Sequence, residues 1–332
     1  MVHMGEYKLF KEGDGIVYHY TSLDTFMKIL DGVENEKFIF HATDIFSKND
    51  PTEFYHGFKQ LWDLLPKIEN DYYSYIKSDP RAFKIEHKFL CGKYKLSNIW
   101  DNLGDANEEW PKAYIDEKQR SYRSPFVISF SCHEDYLPMW STYGDKGMGI
   151  ALGIDVQEYY KKVIQDDGSV LFDFSKIGQN ELRSVLVSYD DITMEHFLAK
   201  YVRIQIGNYL RMISSIEIND NDLIYYQLKC LDDITNIATS LIKNKAYEYE
   251  EESRLVANKE DIKDVQYKIC PTKKILPYIN IGIPTSKLKK LVIGPCCDYN
   301  NVKNASKIRL EQLGIHLADG DFVKSKVPFR SI

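Results

Sequence analysis

No stretch of about 18 consecutive apolar residues occurs in the chain, so no transmembrane helix is expected. Residues 1–8 lack the apolar core of a signal peptide. Basic charge is not in surplus: 43 Lys+Arg stand against 49 Asp+Glu, a formal net charge of −6, which argues against a nucleic-acid binder held by bulk charge and leaves room for a local basic strip. The six cysteines, Cys91, Cys132, Cys230, Cys270, Cys296 and Cys297, show no paired CxxC spacing. Reduced thiols in a cytoplasmic protein fit that pattern best. The sequence also lacks GxGxxG, a Walker loop, GxSxG and HExxH. Its eight His form no helical i, i+4 pair, and His41 with Asp44, or His133 with Asp135, makes at most half a site, so no metal is expected.

What the chain does have is length and apolar content for a sizeable core: 332 residues, 44% hydrophobic and 28% charged. Aromatic residues make up 13%, and 24 of them are Tyr. An AT-rich coding bias gives the same enrichment, so the count alone marks no site.

The N-terminal part reads as strand, helix, strand, helix. Ile16-Val17-Tyr18-His19-Tyr20 favours β structure, and Thr21 or Ser22 caps a helix to about Leu30 that Gly32 stops. Residues 37–40 form a second strand. Asp50 then stands as N-cap, Pro51 at the first helical position and Glu53 where a capping box needs it, opening a helix through Phe54, Phe58, Leu61 and Leu65. Residues 126–131 and 147–154 read as strands, followed by a β-rich tail over 253–257, 265–270, 275–281 and 291–294. A helix over 301–313, closed by Gly314, and a last strand over 315–318 complete it. Residues 193–216 and 222–247 are the clearest helices, the second with Ile224, Leu228, Leu231, Ile234, Ala238 and Leu241 on one stripe. No repeat or Pro/Gly/Ser linker divides the chain. The expected architecture is a single α+β domain over 1–332 with helical insertions at about 66–124 and 193–247.

Three clusters carry chemistry. In His19-Tyr20-Thr21, strand alternation puts His19 and Thr21 on one face and Tyr20 on the other, so imidazole and hydroxyl can address one ligand. Ser129 and Ser131 share a strand face and offer two hydroxyls, and the rings of Trp140 and Tyr143 that follow suit either stacking on a planar heterocycle or an ordinary aromatic core. The third cluster, Tyr249-Glu250-Glu251-Glu252-Ser253-Arg254, runs straight into Leu255-Val256-Ala257. An extended backbone beginning by Glu250 places Glu250, Glu252 and Arg254 on one face, where one carboxyl has a raised pKa unless Arg254 neutralises it.

In this order the clusters resemble a bacterial family known as a domain of unknown function. Its pattern appears here as His19-Tyr20-Thr21, Asn49-Asp50-Pro51-Thr52-Glu53, Ser129-Phe130-Ser131, Met139-Trp140 with Tyr143-Gly144, Tyr249-Glu250 with Glu252 and Arg254, and Ile293-Gly294-Pro295. The likeness is collinear from about residue 16 to 297. That family in turn resembles a divergent branch of the ADP-ribosyltransferases, which bind NAD in a cleft of a split β-sheet. The resemblance implies that His19 holds a ribose hydroxyl, that Tyr143 stacks on nicotinamide with Trp140 or Tyr20 as alternatives, and that Glu252 stabilises the ribosyl cation, with Glu250 as the upstream acid. Thr21, Asn49, Ser129 and Ser131 then face the cleft, while Asp50 caps its helix. Arg254 either binds a phosphate bidentately or, preferably, orients Glu252.

The implied activity is NAD-consuming ADP-ribosyl transfer to a protein or nucleic acid, or NAD hydrolysis, with NAD as substrate. Such folds commonly serve as toxins or antiphage effectors, which implies an antitoxin or sensor partner and no membrane. Two rivals stay open: an inactive module that binds a nucleotide or partner through the same cleft, and a nuclease-like effector.

Overall fold

The structure is a computed structural model, and it describes residues 15–48, 52–78, 87–90, 92–99, 125–156, 162–164, 170–172, 183–187, 189, 191–257, 262–269 and 273–329. Apolar alternation builds the first strands, β1 (Ile16–Thr21) and β2 (Lys37–Asp44), around helix α1 (Leu23–Asp31). Ser22 is the residue that caps α1: its hydroxyl accepts from the Thr25 N–H at 3.1 Å, satisfying a donor the helix cannot. Gly32 ends the helix by donating its N–H to the carbonyls of Leu30 and Lys28. Phe26, Ile29 and Leu30 point into the core, each contributing roughly 1.5–3 kcal/mol by leaving water.

The chain continues through α2 (Glu53–Ser78), β3 (Phe126–Ser131), α3 (Leu137–Thr142), β4 (Ile150–Asp155), the short pair β5 (Lys162–Ile164) and β6 (Val170–Phe172), and β7 (Arg183–Leu186). Then come α4 (Asp191–Ser214), α5 (Asp220–Leu241), β8 (Glu252–Ala257), β9 (Gln266–Ile269), β10 (Ile275–Pro284), β11 (Leu288–Ile293), α6 (Tyr299–Gln312) and β12 (Phe322–Lys324). The molecule is α+β. Among the described residues ten strands form one open sheet in the order β12-β11-β4-β1-β3-β2-β10-β9, with β8 paired to β3 and β7 to β8. Its pairs are antiparallel except β11 with β12.

The feature that positions the site is the divided edge of β3. One edge of β3 pairs with β8 along its whole length, from Phe126↔Ala257 to Ser131↔Glu252. The opposite edge is shared: β2 takes one end, at Val127 and Phe126, and β1 takes the other, at Ser131. Ile128, Ser129 and Phe130 lie between, where β1 and β2 diverge.

Two layers cover the sheet. On one face α1 and α6 pack over Phe38, Phe40, Phe126, Ile128, Phe130, Leu152 and Leu255. On the other, α2, α4 and α5 share a core that Val127 and Val256 join from the sheet. Helix α2 runs through Pro66, which removes one backbone hydrogen bond, because Leu61, Leu65, Ile68, Tyr73 and Ile76 bury a continuous stripe on both sides of it. No described helix is long and apolar enough to cross a membrane.

Two strand expectations shift. The strand expected from Gly147 begins at Ile150, because Asp145, Lys146 and Gly147 take positive φ values and make a turn. The last strand is Phe322–Lys324, not residues 315–318: Ile315 is anchored in the core, and the chain falls into register only where Phe322 lies beside Leu291.

Candidate functional site

Alternation along β8 sends Leu255 and Ala257 into the core under α1, and Val256 into the core under α2, α4 and α5. Glu252 and Arg254 share the face of Val256. Their register partners on β3, Ser131 and Ser129, lie on the same face. Expected side by side on one strand, Glu250, Glu252 and Arg254 do meet, by a different route. The strand starts only at Glu252; Glu250 ends a 3-10 turn (Lys245–Glu250), and Glu251 has a left-handed backbone with φ 37°.

Arg254 is fully buried and holds Glu252 with two hydrogen bonds, Nε to Oε1 at 2.9 Å and Nη2 to Oε2 at 2.8 Å. Its Nη1 donates to the Ser240 carbonyl at 3.0 Å, and Nη2 also forms an ion pair with Glu53. Lys243, just beyond α5, bridges the two acids, donating to Glu250 Oε2 at 2.5 Å and Glu252 Oε2 at 3.0 Å. The other Glu250 oxygen accepts from the Tyr143 hydroxyl at 2.8 Å. The Ser131 hydroxyl donates to the Glu250 carbonyl at 2.8 Å and accepts from the His133 N–H at 3.1 Å. Tyr189 accepts from the Glu252 N–H at 2.9 Å. Finally, Lys48 donates to the Ser129 hydroxyl at 2.8 Å.

The cluster therefore sets Glu53, Glu250 and Glu252 against Lys48, Lys243 and Arg254, three charges of each sign. Burial alone would raise the Glu252 pKa, yet Arg254, then Lys243 and Lys48, hold the carboxyl well below the usual carboxylate range. Burial works against the charge on Arg254 too, but Glu252 and Glu53 keep it firmly protonated. Glu53 goes the other way, its pKa raised by burial despite Arg254. Neither oxygen of Glu53 has a hydrogen bond, although the ion pair with Arg254 stands. Lys48 is pushed down to about 8 by burial, with Glu252 and Glu53 opposing the fall and Arg254 and Lys243 adding to it.

His19 lies at the divided edge. Its Nδ1 is 3.1 Å from the Ser129 carbonyl, and its ring packs edge-on to Phe40 and Phe130, with centroids 5.3 and 5.7 Å away. A carbonyl only accepts, so Nδ1 carries the proton and Nε2 the lone pair. Burial pushes the imidazole down to about 4, with Lys48 and Lys268 adding to the fall, so it is neutral near pH 7. Alternation places this ring on the Phe130 face of the sheet, opposite Glu252 and Ser131; His19 meets the acid cluster at Ser129. Thr21 is buried at the end of β1, its carbonyl tight against Gly149.

The aromatic candidates divide. Tyr143 is partly exposed and belongs to the acid cluster. Trp140 is fully buried, donates to Asp135 Oδ1 at 2.6 Å, and packs edge-on against Tyr20 with centroids 4.8 Å apart. The Tyr20 hydroxyl donates to the His133 carbonyl at 2.9 Å. Both rings are wall rather than open surface. Asn49 and Asp50 lie outside the described residues. Among those described, no three His, Cys, Asp or Glu side chains are grouped to hold a metal ion.

Sequence reasoning missed Lys48 and Lys243 and gave Glu53 a capping role, whereas its carboxylate pairs with Arg254. The signal for Glu53 lay in its helix: it occupies the buried stripe that continues through Phe54, Gly57 and Phe58. A charge there requires a buried partner.

Comparison with known proteins finds a match between residues 139–255 and a family described as a protein of unknown function (DUF2971). The matched stretch carries Trp140, Tyr143, Lys243, Glu250, Glu252 and Arg254, and stops short of β1, Lys48, Glu53 and β3. No curated protein and no solved structure matches the chain.

Proposed function

We propose that the chain is an enzyme of the ADP-ribosyltransferase type, which breaks the nicotinamide glycosidic bond of NAD and passes the ADP-ribosyl group to a protein, a nucleic acid or water. The observation that carries this reading is the fixed, ionised Glu252 on β8, gripped by Arg254 and Lys243; β8 pairs with the edge of β3 opposite the divided one. Breaking that bond moves an electron pair onto nicotinamide and leaves positive charge on the ribose. A carboxylate already ionised and oriented needs little reorganisation to stabilise that charge. Glu250 is braced by Lys243 and Tyr143 and reinforces the negative potential. His19, proton on Nδ1, offers Nε2 as an acceptor for a ribose hydroxyl.

A second reading has its own observation. Both Glu252 oxygens are already engaged and the cluster sets three acids against three bases, which suits a rigid frame that binds a nucleotide or a partner without chemistry.

The test is nicotinamide release from NAD by purified protein, with and without cell lysate, compared among wild type, Glu252→Gln and His19→Ala. The enzyme reading expects release in wild type and a loss of at least about 100-fold in Glu252→Gln. Retained NAD binding with no release under any condition supports the second reading. Equal release from wild type and Glu252→Gln removes Glu252 from its role.

A further inference from the structure

The buried cluster has one side that meets solvent. Glu53 is 1% exposed, Glu250 and Glu252 are 3%, Arg254 is 0% and Lys243 is 6%. Among the cluster's six ionisable side chains, Lys48 is the one with appreciable exposure, and Ser129, its hydrogen-bond partner, and His19, which bonds the Ser129 carbonyl, are partly exposed as well. A ligand arriving at the divided edge of β3 meets these three before it meets an acid.

Their polar atoms are arranged around Ser129. The Ser129 carbonyl takes the His19 Nδ1 proton, and its hydroxyl oxygen takes one of the three Lys48 protons. Two ammonium protons, the Ser129 hydroxyl proton and the His19 Nε2 lone pair make no other hydrogen bond among the described residues. The result is a cationic donor group at the Ser129 hydroxyl and a neutral acceptor at the Ser129 carbonyl. A phosphate oxygen satisfies the first and a sugar hydroxyl the second, and a ribosyl phosphate carries both.

We propose that Lys48 and the Ser129 hydroxyl form a phosphate subsite at the divided edge of β3, which takes the diphosphate of a nucleotide whose ribose hydroxyl meets His19. The choice of a nucleotide rests on the NAD reading; the anion subsite stands on the geometry of Lys48 and Ser129 alone. The local charge balance agrees. Lys48 is faced by Glu252 and Glu53 on one side of the sum and by Arg254 and Lys243 on the other, with His19 neutral, and its ammonium is left with a pKa of about 8. A bound phosphate supplies the counter-charge that burial and the neighbouring cations deny it, so binding holds the proton on.

The experiment is calorimetric titration of the full chain with inorganic pyrophosphate and with ADP-ribose, at pH 7 and pH 9.5, for wild type, Lys48→Met, Lys48→Arg and Ser129→Ala. Expected are binding of both probes to wild type at pH 7, a loss of about tenfold or more in Lys48→Met, a smaller loss in Ser129→Ala, and weaker wild-type binding at pH 9.5 that Lys48→Arg does not share. If Lys48→Met fails to fold by circular dichroism, the wild type and Lys48→Arg comparison across pH decides. Undiminished affinity in folded Lys48→Met, equal pH dependence in wild type and Lys48→Arg, or no binding of either probe to wild type overturns the subsite. Nicotinamide release measured on the same samples separates the two proposals. Lys48-dependent pyrophosphate binding without release removes the NAD enzyme and keeps the subsite. Release with ADP-ribose affinity unchanged by Lys48→Met does the reverse.

Discussion

Arg254 grips Glu252 from two positions up the same strand, placing two hydrogen bonds, at 2.9 and 2.8 Å, on one carboxylate. Residues i and i+2 of a strand share a face, so the pair is local; what makes it unusual is that both partners are sealed from water. Such a pair contributes little net stability against an apolar replacement, yet removing one partner strands the other.

Arg254→Met is therefore expected to cost about 3–5 kcal/mol, because Glu252 and Glu53 both lose their guanidinium partner. Urea unfolding measures it. The double variant Glu252→Gln with Arg254→Met should be more stable than the sum of the two single losses, since the singles share one interaction. A single-variant cost below about 1 kcal/mol would show that the cluster relaxes or hydrates freely.

The acid limb of the stability curve has a separate origin at His19. Its folded value of about 4 lies below the ordinary 6.5, so the unfolded chain binds the proton first. Stability is fully present above pH 6.5 and declines as the pH falls to about 4, by at most roughly 3 kcal/mol. Glu252, with its folded value depressed, contributes stability above the ordinary carboxylate value and loses it as the pH falls further, through the folded value. Unfolding free energies of wild type and His19→Gln should thus converge in slope above pH 6.5 and differ between 6.5 and 5, before most carboxyls titrate. Parallel curves across that window would mean that His19 takes up its proton in the fold at the same pH as in the unfolded chain.

Period-two alternation made β1, β3 and β8 legible in the sequence, and Ser22, Gly32 and Gly314 marked helix ends that the fold uses. The pairing of Glu252 with Arg254 was legible for the same reason, as it is local. The cations that meet the acids were not. Lys243 arrives from the turn after α5 and Lys48 from the turn after β2, and only the long-range register of β3 with β8 and the packing of α2 on α5 bring them together. Trp140 and Tyr143 are three residues apart in the sequence, and Tyr143, at the end of α3, packs against the cluster that buries Trp140 while its hydroxyl reaches Glu250.

Tyr143 tests whether Glu250 needs its brace. Tyr143→Phe keeps the ring and removes a charge-assisted hydrogen bond of 2.8 Å, at an expected cost of about 1.5–3 kcal/mol in thermal or urea unfolding. On the NAD reading the variant should also release nicotinamide more slowly, with the larger change in kcat, as Glu250 is no longer held at both oxygens. An unchanged unfolding free energy would show that another donor replaces the hydroxyl.

Gly144 follows Tyr143 and makes a sharper packing prediction. Its φ is −91°, which any residue adopts, so conformation does not require glycine there. Space does: a Cβ at this position would overlap the Trp140 ring and approach the Trp140 Cα at 3.0 Å. Trp140 cannot retreat easily, being pinned by Asp135, which is itself held by the Ser325 hydroxyl at 2.6 Å and the Lys326 N–H at 2.7 Å. Gly144→Ala should therefore cost about 1–3 kcal/mol by overpacking and alter the near-ultraviolet circular dichroism of the protein. Gly314 supplies the contrast. Nothing lies within 4 Å of a Cβ there, but φ is 71°, so Gly314→Ala is strained by backbone alone, costs about 1 kcal/mol, and leaves the near-ultraviolet signal unchanged. If both variants shift the signal alike, or Gly144→Ala is the milder one, the wall of Tyr20 and Trp140 is looser than its burial implies.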